Sequence, residues 1–242
     1  MASPRDRFLT VYGRRPVLEA LGDDRLTVDK VLVSQRAHGP EVGEIERLAA
    51  RRGVTCRRVP PADVTRLSRN GRQDQGVAAD VVAPRMRSLD ELDRPAGPVL
   101  VLDGITNPQN VGMILRTAVA AGIAAVVVPT AGVADLGPLV VKASAGLAFQ
   151  APIVRARSAA DAVDALRRSH GYRIVGLAAQ GGRSLYDDDA LPERAAYVLG
   201  GEHAGLTVEV DELVTIPLAP GVESLNVAVA AGVLCFELAR PR

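Results

Sequence analysis

Tryptophan is missing from this 242-residue chain, and aromatic residues together make up only 3% of it. That scarcity argues against a recognition surface built mainly of stacking platforms for single-stranded bases. Any nucleic-acid contact should then lean on charge and shape. Cysteine is almost as rare, with Cys56 and Cys235 alone, so neither a disulfide framework nor a Cys-based metal site is indicated. Both lie in apolar runs and read as buried, inert thiols. The three histidines, His38, His170 and His203, are scattered and show no zinc spacing. The opening residues MASPRDRF lack the apolar stretch of a signal peptide, and no apolar run reaches membrane-spanning length. These absences lead us to expect a soluble, cytoplasmic protein with neither a metal nor a membrane partner.

What is present is aliphatic. With 48% hydrophobic residues, the chain has the material for a sizeable core, and its length suits one large domain or two compact ones. The net charge of +1 conceals an asymmetry: residues 1–97 hold 18 Lys and Arg against 14 Asp and Glu, while residues 98–242 hold 11 against 14. The better phosphate-binding half is therefore the N-terminal one.

Residues 14–82 read as a small α/β unit. One helix carries Val17, Leu18 and Leu21, Lys30–Val33 is a short strand, and Val42, Ile45 and Leu48 share a helical face on a segment that Gly53 ends. A strand at Val54–Arg58, a helix opened by Pro60-Pro61-Ala62-Asp63 and a strand at Val77–Val82 complete the layered pattern. The stretch 83–97, rich in Pro, Gly and charge, reads as a linker with one helical turn at Ser88–Leu92. Beyond it Val99–Leu102 is an unbroken apolar strand of the kind buried on both faces of a parallel sheet. Strands at Ala124–Val128, Tyr172–Ala178, Ala196–Leu199 and Val214–Ile216 alternate with helices near 109–121, 138–145, 158–170 and 224–239. This predicts a doubly wound, mostly parallel α/β domain over 98–242.

Three segments of that second unit place glycines and side-chain amides or acids where a strand gives way to a loop. They are Asn107-Pro108-Gln109-Asn110-Val111-Gly112 running into Arg116, then Leu199-Gly200-Gly201-Glu202-His203-Ala204-Gly205-Leu206, and lastly Ile216-Pro217-Leu218 followed by Ser224-Leu225-Asn226. Ligands of open α/β sheets bind at the carboxyl ends of the strands, so three such loops suggest one composite pocket. Asn107 followed by Pro108 is a plausible helix start. Arg116 lies one turn beyond Gly112, whose missing side chain leaves space on the face Arg116 occupies. An arginine among Val111, Met113, Ile114 and Leu115 would be costly to bury unpaired and should face a pocket or an anionic partner. Ser224 has the chemistry to cap the last helix.

Taken in order, these segments resemble the SpoU/TrmH family of S-adenosylmethionine-dependent RNA 2′-O-ribose methyltransferases. The resemblance covers roughly the last 145 residues. It implies a deep trefoil knot formed by the C-terminal segment, pairing of two copies through the knot region, and S-adenosylmethionine as cofactor. It also implies catalytic roles for Asn110, Arg116, Glu202, Ser224 and Asn226, and cofactor contacts from Leu177, Leu199, Gly200, Gly201, Glu202, Ile216, Leu218, Ser224, Leu225 and Asn226. Family members often have the arginine drawn as the base. A guanidinium stays protonated in proteins, so we read Arg116 as a cation that stabilises a developing alkoxide. The loop departs from the usual pattern at Leu218, Pro220 and Ala228. Lys142, in Lys142-Ala143-Ser144-Ala145-Gly146, is either a phosphate contact or a plain surface lysine.

In the N-terminal unit, Tyr12-Gly13-Arg14 and Gln75-Gly76-Val77-Ala78 are similar to the substrate-binding domain of ribosomal-RNA members of the family. Arg66, Arg69, Arg72 and Gln75, on one polar loop, are the RNA-binding candidates, which makes 1–82 the expected substrate-binding domain and large-subunit (23S) ribosomal RNA the expected partner. Transfer RNA is the alternative substrate. A nucleotide-dependent dehydrogenase fits poorly, because the turn after the first strand of the second unit, Asp103–Pro108, lacks GxGxxG. A ribosome-assembly protein with a decayed pocket is the non-enzymatic alternative; retained Arg116, Glu202, Ser224 and Asn226 speak against it.

Overall fold

The computed structural model describes residues 7–93, 95–187, 191–192, 194–201 and 204–241. It divides into two compact units, one holding the described residues up to Pro84 with Leu136–Pro138, the other residues 85–135 and 139–242.

The smaller unit runs β1 (Phe8–Tyr12), α1 (Arg14–Gly22), β2 (Val28–Ser34), α2 (Pro40–Arg51), β3 (Thr55–Val59), α3 (Pro61–Ser68) and β4 (Val77–Val82). Its sheet has the order β1-β4-β2-β3; β4 is antiparallel to both neighbours, and β2 and β3 are parallel. Five residues of alternating burial make β1, a strand that the sequence reading left out. Proline opens α2 and α3, where its missing N–H costs nothing. Cys56, on the edge strand β3, is only half-buried, which corrects the expectation of a fully buried thiol: its strand neighbours Thr55, Arg57 and Arg58 are exposed.

The larger unit comprises β5 (Arg87–Ser88), β6 (Val99–Asp103), α4 (Pro108–Ala120), β7 (Ala125–Pro129), α5 (Pro138–Ala143), β8 (Ile153–Ala156), α6 (Ala159–His170), β9 (Arg173–Ala178), β10 (Arg183–Ser184), β11 (Ala195–Gly200), β12 (Glu212–Thr215) and α7 (Val227–Leu238). Its eight strands lie in the order β10-β12-β9-β11-β6-β7-β8-β5, and all the pairings are parallel. The stretch read as a linker supplies β5 at one edge of this sheet, followed by a 3-10 turn at Leu89–Glu91 that a Ser88/Glu91 capping box closes.

Helices cover both faces of the sheet, as the unbroken apolar strands require. Val99 and Val101 of β6, Val127 of β7 and Val198 of β11 pack with Ala162, Val163 and Leu166 of α6 in one core cluster. Alternation sends Leu100 and Leu102 to the opposite face, where Ile114 and Leu115 of α4 and Leu234 and Cys235 of α7 are also buried. Burial pushes the Cys235 thiol up to about 12. In this unit Cys235 is the inert thiol the sequence reading expected.

Candidate functional site

The carboxyl ends of β9, β11 and β12 open on a cavity of about 340 Å³, within the range of small-molecule sites. Leu177, Ala178 and Ala179 enter from β9 and its exit, Leu199, Gly200 and Gly201 from β11, and Leu213 and Ile216 from β12 and its exit. Gly205, Leu206, Leu218, Ser224, Leu225, Val227 and Ala230 close it. Aliphatic carbon and glycine backbone dominate this lining, which suits a flat, apolar ring with a few backbone hydrogen bonds.

Two tight backbone contacts shape the cavity. A side chain on Gly201 would collide with the Gly104 carbonyl beyond β6, and one on Gly200 would collide with Gly205. The paired glycines therefore let protein backbone meet protein backbone while also lining the cavity, a use in addition to the approach to ligand that a glycine-rich turn alone suggests. Gly201 and Gly205 bridge through Gly205 N to Gly201 O at 2.9 Å. Asp103, the last residue of β6 and only 4% exposed, then accepts hydrogen bonds from Thr207 N at 2.5 Å and Thr207 Oγ1 at 2.7 Å. A buried carboxylate with two donors fixes the far end of the loop. Sequence reading passed over Asp103; an acid ending an otherwise apolar strand was its one signal.

The helix starts bring the first and third segments together. Asn107 caps α4, its side chain accepting from Gln109 N at 2.9 Å. Asn226, and not Ser224, caps α7: its Oδ1 accepts from Ala228 N at 2.9 Å and Val229 N at 3.3 Å. With its oxygen so engaged, the Asn226 amide nitrogen donates to Oδ1 of the buried Asn110 at 3.1 Å. α7 accordingly begins at Val227, three residues later than expected, and Ser224 stays exposed at the cavity wall.

Gly112 serves packing. A Cβ there would lie 2.6 Å from Ala143 Cβ and 2.6 Å from Val140 O, so α5 fills the space that the sequence reading left open for Arg116. Arg116 itself is exposed. Among the described residues it makes no ion pair. Lys142 is exposed at the end of α5. Of the cofactor candidates, Leu177, Leu199, Gly200, Gly201, Ile216, Leu218, Ser224 and Leu225 line the cavity, whereas Asn226 sits beside it on Asn110. Glu202 and His203 lie outside the described residues. Gly205 and Leu206 belong to the second segment but were not named as cofactor contacts, and sequence reading likewise did not single out Ala178, Ala179, Leu213, Val227 or Ala230, all small or aliphatic and without a chemical label of their own.

In the smaller unit, Asp74 organises the candidate RNA loop. It is 5% exposed and accepts from Ser68 Oγ at 3.0 Å, Thr65 Oγ1 at 3.3 Å and Gly76 N at 2.9 Å. Gln75 Oε1 accepts from Arg14 N at 3.0 Å, and Asn70 Nδ2 donates to Tyr12 Oη at 3.0 Å. Arg69 and Arg72 are exposed, and Arg66 pairs with Asp63 at 2.6 Å.

Among the described residues no helix is long and apolar enough to cross a membrane, and no group of three or more His, Cys, Asp or Glu comes together to hold a metal.

Comparison with known proteins matches these two units in turn. Residues 97–236 fit the SpoU rRNA Methylase family, and residues 10–87 fit the RNA 2'-O ribose methyltransferase substrate binding family. A 23S rRNA (guanosine-2'-O-)-methyltransferase RlmB from Xanthomonas campestris is 37% identical over 96% of both chains. The AdoMet-bound rRNA methyltransferase of Sinorhizobium meliloti superposes with a TM-score of 0.65 at 26% identity, over 97% of this chain and 87% of that one. The SpoU methyltransferase AviRb of Streptomyces viridochromogenes, in complex with the cofactor AdoMet, gives 0.64 at 27% identity, over 97% and 90%. With its cavity at the strand ends, its Asn110–Asn226 bridge and a family match across most of its larger unit, the chain belongs to the SpoU rRNA methylase family.

Proposed function

We propose that this protein transfers the methyl group of S-adenosylmethionine to a ribose 2′-hydroxyl of 23S ribosomal RNA. The observation that carries the reading is the cavity where the second and third segments converge, with Asn226 tying the third to the first. S-adenosylmethionine supplies an electrophilic methyl on a sulfonium. Ile216, Leu218 and Leu225 would hold its adenine in their aliphatic slot, and the Gly200–Gly201 backbone would approach its polar groups. Methyl transfer to the 2′-oxygen would leave the neutral thioether S-adenosylhomocysteine as the leaving group, and the hydroxyl proton would pass to solvent water, because Arg116 is already protonated and cannot take it. The Arg116 guanidinium stays charged throughout and lowers the energy of the developing alkoxide. Asn110 and Asn226, locked to each other, would hold the ribose in line with the methyl. Ser224 would add a polar contact at the wall, and Glu202 retains the role that the family resemblance implies.

The smaller unit would select the RNA through Arg66, Arg69, Arg72 and Gln75, with Lys142 as a further phosphate contact. The chain reaching α7 would thread a loop as a trefoil knot. Met113 on α4 and Val229 and Phe236 on α7 are 39, 54 and 57% exposed although apolar, and α4 packs on α7. A second copy covering that face would make a homodimer acting in the cytoplasm.

Titration calorimetry with S-adenosylmethionine, together with 2′-O-methylation mapping of ribosomal and transfer RNA from a deletion strain, tests the reading. Binding with one lost 23S mark is expected. Absence of binding to the folded protein, or a lost mark only in transfer RNA, would overturn it.

A further inference from the structure

We propose that the turn after β2, through Arg36, joins Arg72 of the loop before β4 in one phosphate-binding edge that grips the RNA substrate. The inference rests on the RNA-methylating role argued above and extends it to a residue that no motif marks.

A chain of hydrogen bonds ties the two loops together. Asp74 Oδ1 accepts from Gly76 N at 2.9 Å, Gly76 O accepts from Ser34 N at 2.7 Å, and Ser34 Oγ accepts from Arg36 N at 3.2 Å. Gly76, at φ +75°, has no room for a side chain, because a Cβ there would lie 2.9 Å from Ala37. Two loops 40 residues apart in sequence, roughly, are thus held as one piece by their backbones. Arg36 and His38 are exposed on the first and Arg72 on the second.

Electrostatics distinguish these cations from their neighbours. Arg14, Arg25, Arg58 and Arg66 are matched to Glu41, Asp23, Glu46 and Asp63. Arg36 and Arg72 have no carboxylate partner among the described residues, and Asp74, the acid closest in sequence to Arg72, is buried and committed to three donors. The acid nearest this turn on α2, Glu41, is paired with Arg14 and not with Arg36. Two guanidiniums without a carboxylate partner among the described residues, on loops tied together by backbone hydrogen bonds, suit two phosphates of a folded RNA.

Binding of the full-length protein to an in vitro transcript of 23S ribosomal RNA, measured from 50 to 300 mM salt, tests the edge. Arg36→Ala and Arg72→Ala should each weaken binding about tenfold and lower the slope of log K against log salt by about 0.7 to 0.9, one phosphate apiece. The double variant should lower the slope by about twice that, while affinity for S-adenosylmethionine and the melting temperature stay unchanged. Arg51→Ala, at the far end of α2 with the same charge loss, should leave the slope alone. If Arg36→Ala matches Arg51→Ala while the wild type binds and methylates the transcript, the edge is refuted and the functional reading stands. If the wild type neither binds nor methylates ribosomal RNA, both fall.

Discussion

At the residue scale, two of the duties of Asn226 can be separated by substitution. Its Oδ1 caps α7 and its Nδ2 reaches Asn110. Asn226→Asp keeps the acceptor and places a negative charge at a helix start, so stability should hold. Turnover should nonetheless fall at least tenfold, because the donor to Asn110 is gone. Asn226→Ala should lose about 1 kcal/mol of stability as well. Equal turnover for the aspartate variant and wild type in a methyl-transfer assay would contradict this division. Arg116→Ala should cut methyl transfer by roughly two orders of magnitude or more, the scale of one lost electrostatic stabiliser, with calorimetric affinity for S-adenosylmethionine nearly unchanged. Cys235 gives a pH signature. Burial raises its folded-state value from 9.0 to about 12, so above pH 9 the unfolded chain releases a proton that the folded one keeps. Stability conferred by this group is full below pH 9 and declines as pH rises toward 12. Denaturant titrations at pH 8 and 10 should show a smaller loss for Cys235→Ala than for wild type.

Elements differ in how much of themselves they wrote into the sequence. β6, β7 and β11 are legible because strands buried on both faces must be apolar throughout, and α4 because Asn107 and Pro108 mark its start. β1 and β8 escape notice: each is short, and β8 carries Arg155 in the middle of only four residues. β5 and β10, with two residues each, have no periodicity to detect. The candidate cavity was legible in its motifs and illegible in its walls, since Ala178, Leu206 and Ala230 differ from core residues only by position. Asp103 illustrates the limit best, for its partner Thr207 is far along the chain. Here a prediction follows for the loop as an element. Asp103→Ala should leave Thr207 N–H without its acceptor, loosen the segment carrying Gly205 and Leu206, and raise the dissociation constant for S-adenosylmethionine about tenfold, a coupling of roughly 1.4 kcal/mol. Asp103→Asn, which keeps an acceptor, should recover most of that affinity; a tenfold loss for both, or none for either, would exclude the pinning role.

For the whole molecule, the exposed apolar face of α4 and α7 sets the expected assembly. Light scattering at micromolar concentration should report a dimer, and Phe236→Glu should convert it to a folded monomer, because a charge in the middle of an apolar interface is not matched from across it. A wild-type monomer would remove the basis for pairing.

The strand order has a bearing on synthesis. β9 finds its neighbours only in β11 and β12, both of which follow it in the chain. On a ribosome releasing the N-terminus first, the smaller unit has all four strands by Val82 and closes early. β6, β7 and β8 come next and are left with the apolar flank of β6 bare until Ala195–Gly200 arrives. From Asp103 to Ala195, about ninety codons and several seconds or more at the usual elongation rate, the nascent chain therefore carries an open sheet edge, joined late in that stretch by the orphan strand β9, and this interval is where chaperones and rare-codon timing have the most purchase on its yield.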